Sequence, residues 1–288
     1  MIHQYKSNGY NIVMDVESGA VHVVDDVTYD VIALFEDTEI SKIVEQLSDK
    51  YDKADIEEAI SEVNQLKEDG QLFTQDIYQP FIEEFKDKRQ TVVKALCLHI
   101  AHDCNLACKY CFAEEGEYHG RRAMMSFEVG KKALDFLVAN SGSRVNLEVD
   151  FFGGEPLMNW DVVKQLVEYG RSLEESNHKK FRFTLTTNGV LLNDEIMEYL
   201  NKEMSNVVLS LDGRKEVNDR MRPFRTGKGS YDLIVPKFQK LAESRNQSNY
   251  YVRGTFTRDN LDFSEDVKHF ADLGFKQMSI EPVVGPEE

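Results

Sequence analysis

From residue 93 onward the chain repeats one pattern six times: a short β-rich run, then, after each of the first five, a stretch with apolar residues at helical spacing. The runs are VKALCLHIA (93–101), VNLEVDFF (145–152), FRFTLTT (181–187), NVVLSLD (206–212), YYVRGTFT (250–257) and KQMSIEPVV (276–284). The helical stretches are SFEVGKKALDFLVAN, NWDVVKQLVEYGRSLEE, NDEIMEYLNKE, YDLIVPKFQKLAES and NLDFSEDVKHFADLG. Each helix carries the chain back to the same end of the sheet, so the strands should run parallel. The expected fold class is α/β: an open sheet, or a partial (β/α)6 TIM-like barrel over residues 93–288. Pro236 should kink or shorten the fourth helix. The chain stops just after the sixth run with no helix to cover it, which reads as a truncation. In such folds functional groups collect at the C-terminal ends of the strands.

The first 78 residues follow a different pattern. YNIVMDV and AVHVVD flank the turn ESG and predict a hairpin over residues 9–25. Three helical periods follow: VTYDVIALF, then TEISKIVEQLSDKY with Thr38 as N-cap, then KADIEEAISEVNQLKEDG. The last sets Ile56, Ile60, Val63 and Leu66 on one face and stops at Gly70. This predicts a small winged-helix-like α+β domain over 1–78, joined by a charged linker at 79–92.

Charge and composition narrow the class of partner. The chain carries 51 Asp and Glu against 34 Lys and Arg, a net of −17, which disfavours nucleic acid. Residues 1–79 alone hold 18 acidic and 5 basic side chains. That can be a solvated acidic surface, or one that attracts a basic peptide. No apolar run reaches the roughly 20 residues that span a bilayer, and the N-terminus lacks a signal-peptide pattern. A cytoplasmic protein without membrane contact is the default.

Three of the four cysteines, Cys104, Cys108 and Cys111, fall within HDCNLACKYCFAEEG, directly after the first β run. Such clustering points to metal or redox chemistry rather than a disulfide framework. Thiolates are soft ligands suited to zinc or iron–sulfur centres. His102 or His119 could complete a Cys₃His zinc site. Alternatively, the three thiolates hold three irons of a [4Fe–4S] cluster and leave the fourth open. Cys97 lies inside the first run and reads as a small buried core residue.

The spacing CxxxCxxC, with Tyr110 before its last cysteine, resembles the signature of the radical S-adenosylmethionine (SAM) enzymes. FFGGEP (151–156), TTNG (186–189) and SLDG (210–213) follow at the ends of the second, third and fourth runs. The resemblance implies that Cys104, Cys108 and Cys111 ligate the cluster and that SAM chelates the open iron. It further implies that Glu155 holds the SAM amine, with Gly153 and Gly154 shaping the pocket. Tyr110 would lie near the adenine and Ser210 near the ribose. Arg222, in NDRMRPF, is a candidate for the SAM carboxylate or simply a solvated arginine. An electron donor such as flavodoxin or ferredoxin is implied as well.

The N-terminal module resembles the PqqD-like recognition element, which binds the leader of a ribosomally made precursor peptide by adding it as a strand. With the sequences CLHIAHDCNLACKYCFAEEGEYHG and VDFFGGEPLMNW, the chain is similar to the maturases of six-cysteine (SCIFF) peptides. Those enzymes form thioether crosslinks within a peptide core. They normally continue into a SPASM-type domain with further cysteine-bound clusters, whereas no cysteine follows Cys111 here. This chain alone would then cleave SAM without completing a crosslink. Two alternatives stand beside that reading. One is another SPASM-type peptide oxidase, such as an anaerobic sulfatase maturase. The other is a non-catalytic, zinc-bound leader-binding scaffold.

Overall fold

The computed structural model describes residues 1–88, 92–118 and 120–284. The chain forms two compact units, Met1–Gln90 and Thr91–Glu288.

In the first unit three strands, β1 (Ile2–Ser7), β2 (Tyr10–Asp15) and β3 (Val21–Val24), form an antiparallel sheet in the order β1-β2-β3. Strand β1 was not foreseen. It turns into β2 through Asn8 and Gly9, whose φ values of 49° and 82° suit a two-residue hairpin turn. Helix α1 (Asp26–Leu34) starts where the Asp25 carboxylate accepts from the Thr28 N–H at 2.8 Å. Helix α2 (Ile40–Leu47) has Glu39 at its N-cap, not Thr38, and no side chain caps it. Helix α3 (Lys53–Glu68) buries Ile56, Ala59, Ile60 and Val63, leaving Leu66 at the margin. These residues pack with Val13, Val31, Ile32 and Ile43 into one core. The buried Asp15 carboxylate ties the chain after α3 to the sheet, accepting from the Thr74 N–H and Oγ1, both at 2.9 Å. Within the expected linker the chain is helical: a turn at Gln79–Phe81 leads into α4 (Ile82–Lys88).

The second unit is built on β4 (Ala95–His102), β5 (Ala123–Met124), β6 (Asn146–Gly153), β7 (Lys180–Thr187), β8 (Met204–Ser210), β9 (Tyr250–Phe256) and β10 (Met278–Pro282). The order is β10-β9-β8-β7-β6-β4-β5. The six long strands pair in parallel, and the two-residue β5 pairs antiparallel on the β4 edge. Each new strand adds beside the last, the order of a partial barrel that does not close. The helices are α5 (Phe127–Ala139), α6 (Trp160–Asn177), α7 (Asp194–Glu203), α8 (Lys215–Met221), α9 (Tyr231–Ser244) and α10 (Phe263–Asp272). Helix α9 runs through Pro236 without interruption. The missing N–H there forfeits one bond near the helix start, while buried Ile234, Val235 and Phe238 hold the turns on either side.

Only one face of the sheet packs into the core. On β6, Leu147, Val149 and Phe151 are buried, while Glu148 and Asp150 between them are not. The same alternation corrects the expectation for Cys97. Leu98 and Ile100 are buried, which turns Cys97 to the other face, where it is exposed.

Candidate active site

The strand order brings the ends of β4, β6, β7 and β8 side by side, and one cavity opens there. Its wall includes Cys104, Cys108, Cys111, Tyr110, Gly153, Gly154, Ser210 and Arg222. Thr186, Thr187 and Asn188 of TTNG line it too, so the cysteine, GGEP, TTNG and SLDG motifs meet because they occupy equivalent positions in successive βα units, while Arg222 joins them from the end of α8.

The cysteine loop is held on both sides. Toward α8, the Ala107 N–H donates to the Pro223 carbonyl at 2.8 Å and the Lys109 N–H to Met221 at 2.9 Å. An isolated antiparallel bridge joins Leu106 to Phe224. The Arg225 guanidinium reaches the Cys104 carbonyl at 2.8 Å and Asp103 Oδ1 at 3.0 Å. Toward β6, the Gly154 N–H donates to Ala101 at 2.8 Å and the Glu155 N–H to Asp103 at 2.9 Å. This approach explains both glycines. A Cβ on Gly153 would stand 2.5 Å from the Ala101 oxygen, and one on Gly154 only 2.1 Å from the Asp103 oxygen.

Glu155 is completely buried. Burial pushes its carboxyl pKa up, and donors from Asn188, Leu157 and Thr187 oppose that. Oε1 accepts from Leu157 N at 3.0 Å and Thr187 Oγ1 at 2.8 Å, and Oε2 from Asn188 N at 2.8 Å. The carboxylate therefore joins the loop after β6 to the end of β7. Oε2, with one donor, keeps capacity for an ammonium group.

Tyr110, Asp212 and Arg222 form a second buried network. The Tyr110 hydroxyl donates to Asp212 at 2.8 Å and accepts from Arg222 Nη1 at 2.5 Å. Arg222 and Asp212 lie 3.8 Å apart, with Asp212 fully buried. Burial works against the guanidinium charge, but the Asp212 carboxylate and the hydrogen bond to the Tyr110 hydroxyl keep the group protonated. Arg222 is not solvated, and its buried Nε has no partner among the described residues. Arg222 lines the cavity, and a guanidinium there suits an anionic ligand such as a carboxylate.

Burial pushes the Cys104 thiol up to about 12 and raises that of Cys108. Thiols so placed favour the neutral form unless a metal takes up their charge. Among the described residues no three His, Cys, Asp or Glu side chains converge as one bound ion requires. The three thiols stand along a cavity wall instead, which suits corners of a multi-iron cluster. His102 lies against the Tyr118 ring, and His119 falls outside the described residues.

A family model described as the Radical SAM superfamily matches residues 98–267, more than half of the chain. The chain belongs to the Radical SAM superfamily. It is thus an enzyme of the class that works with S-adenosylmethionine and a [4Fe–4S] cluster. A cysteine-type anaerobic sulfatase-maturating enzyme of Clostridium novyi is 26% identical over 64% of this chain and 49% of its own. The solved structure of anSMEcpe with bound AdoMet and a Cp18Cys peptide aligns at a TM-score of 0.60 and 22% identity. It covers 69% of this chain and 53% of that one. Streptococcus suis SuiB bound to S-adenosylmethionine aligns at 0.50 and 16% identity, over 99% of this chain and 63% of that one. At these identities the two structures speak for the fold. The chain spans from 32% to 62% of the length of curated relatives it matches. No helix among the described residues is long and apolar enough to cross a membrane.

Sequence reading missed Asp212, Thr187 and Asn188 as participants. All three sit inside SLDG and TTNG, so their motifs pointed to the place but not to the partners.

Proposed function

We propose that this radical SAM enzyme modifies a ribosomally made peptide, binding its leader on the N-terminal unit and forming thioether crosslinks in its core. The observation that carries the catalytic half is the cavity where Cys104, Cys108 and Cys111 share a wall with Arg222. When bound, the cluster supplies one electron that splits SAM into methionine and a 5′-deoxyadenosyl radical, which takes a hydrogen from the peptide. Cys104, Cys108 and Cys111 would hold three irons. Arg222 would receive the SAM carboxylate and Glu155 the amine. Gly153 and Gly154 would let the ligand approach the backbone, and Tyr110 and Ser210 would face adenine and ribose.

The peptide half rests on β3. It is an edge strand, paired on one side to β2. Val21 and Val23 on it are 56% and 66% exposed. An open edge with apolar side chains is what an extended leader needs in order to add as a further strand. This edge supports the PqqD-like reading of residues 1–78, which rests on the sequence resemblance. The SCIFF-type specificity is supported by the sequence resemblance. A sulfatase-maturase-type peptide oxidase is the second reading, favoured by the Clostridium novyi relative.

The test begins with anaerobic reconstitution and electron paramagnetic resonance of the reduced protein, with and without SAM. A [4Fe–4S]⁺ signal that changes on adding SAM is expected. A synthetic cysteine-rich precursor peptide with its leader is then added and followed by mass spectrometry. SAM cleavage stimulated by the leader-bearing peptide supports the maturase reading, and loss of two hydrogens per crosslink would show in addition that this chain needs no further cluster. A cysteine oxidised without crosslinking would favour the second reading, and a signal indifferent to SAM would refute both.

A further inference from the structure

We propose that Asn188 is a positioning residue of the iron–sulfur site: its amide donates to the Cys104 sulfur and so raises the reduction potential of the cluster ligated there. The inference rests on the cluster reading above and deepens it.

The orientation of the Asn188 amide is settled by its neighbours. Asn188 follows β7 and is 4% exposed. Its Oδ1 accepts from the Val190 N–H at 3.1 Å, closing a turn over its own side chain. Nδ2 must therefore face the cysteine loop, and both of its hydrogens are used. One goes to Asn105 Oδ1 at 2.7 Å and the other to Cys104 Sγ at 3.6 Å. The longer distance reflects the larger radius of sulfur. The Leu106 N–H approaches the same sulfur at 3.5 Å.

Asn188 is itself fixed from behind. Its backbone N–H and the Thr187 hydroxyl both donate to Glu155, the carboxylate buried between β6 and β7. The path runs from Glu155 through the Asn188 backbone to its side chain and on to the Cys104 sulfur. Glu155 thus helps to aim a donor at the cluster loop, whatever ligand group it also meets.

The chemical consequence has a definite sign. Reduction adds negative charge to a cluster, part of it on the ligand sulfurs. An N–H aimed at one of those sulfurs stabilises the reduced form more than the oxidised form and raises the potential.

The test uses the full chain, reconstituted anaerobically with iron and sulfide and titrated reductively without SAM, with the reduced signal followed by paramagnetic resonance. Asn188→Ala removes the donor. Asn188→Asp keeps the Val190 turn but sets an anion where the donor was. Both should retain wild-type iron content. The alanine variant should shift the reduction equilibrium about tenfold toward the oxidised cluster, about 59 mV more negative for a one-electron couple. The aspartate variant should shift it at least as far. Full iron content with the wild-type midpoint in both variants overturns the proposal. So does loss of iron from both with an unchanged circular dichroism spectrum, which would make Asn188 an assembly residue instead. If alanine prevents folding, the aspartate variant decides alone. A wild-type chain that takes up no cluster defeats the cofactor reading itself, an outcome distinct from unchanged variants of a loaded protein.

Discussion

An alanine at Gly154 would place its Cβ 2.1 Å from the Asp103 carbonyl oxygen and 2.6 Å from the carbonyl carbon. Both atoms are backbone, so no side chain can swing aside. To restore ordinary contact the two segments must part by about an ångström. That strains the Gly154 N–H bond to Ala101 and the Glu155 N–H bond to Asp103. Each backbone bond is worth about 1 kcal/mol net, and overpacking of this kind costs about 1–3 kcal/mol. The expected loss is about 3 kcal/mol in all. For a unit of this size that lowers the melting temperature by roughly 6–12 °C. The displaced residue is the immediate neighbour of Cys104, so iron uptake should fall as well. Gly227→Ala is the control, because Gly227 has φ +82° but nothing within 4 Å of a new Cβ. It should cost only the left-handed backbone preference, about 1–2 kcal/mol, and leave iron uptake unchanged. The assay is melting of the apo-protein by circular dichroism, together with iron and sulfide per chain after reconstitution. A Gly154→Ala protein that melts no lower than the control and binds a full complement of iron would refute the reasoning.

Asp212→Asn should destabilise the second unit by about 3 kcal/mol, because it leaves the Arg222 charge buried without its counter-ion; unchanged denaturant unfolding would count against the pairing. Thr74→Val should cost the first unit about 1 kcal/mol through the lost hydroxyl bond to Asp15. Burial raises the Asp15 pKa, but donors from Thr74, Glu17 and Ser18 outweigh it and leave the value lowered. Its contribution is therefore present at neutral pH and disappears as pH falls below about 4, through the folded value. Asp15→Asn should flatten that acid limb, and a limb of unchanged steepness would contradict the assignment. On β3, Val23→Lys should weaken binding of the leader peptide by anisotropy while the cluster signal stays as in the wild type. Equal affinity in the variant would move the peptide site away from this edge.

What the sequence made legible follows from how the fold is assembled. A parallel βα series places every strand end at one side, so the cysteine, GGEP, TTNG and SLDG motifs could be brought together without knowing a single contact. Pairings across the series were not legible. Tyr110 meets Asp212 and Arg222 across more than a hundred residues, and nothing in KYC, SLDG or NDRMRPF specifies that three-way contact. Helix α8 escaped notice because KEVNDRM carries too few apolar residues to show a period, yet its end supplies the backbone partner of the cysteine loop. Strand β1 escaped for a similar reason, since IHQYKS has only two apolar side chains and its pairing depends on the Asn8–Gly9 turn. Cys97 was misplaced because it was read from residue type alone, as a small buried hydrophobe, without regard to the face of β4 it occupies. A partial barrel covers one face only, and residues on the other, Asp150 and Cys97 among them, face open space. Glu155 shows the limit most clearly. Its motif marks it as a ligand for an amine, but only the structure shows that the same carboxylate already aims Asn188 at a cysteine sulfur. On the proposed roles, a substitution there changes SAM binding and cluster potential together, and Asn188→Ala is the variant that separates the two.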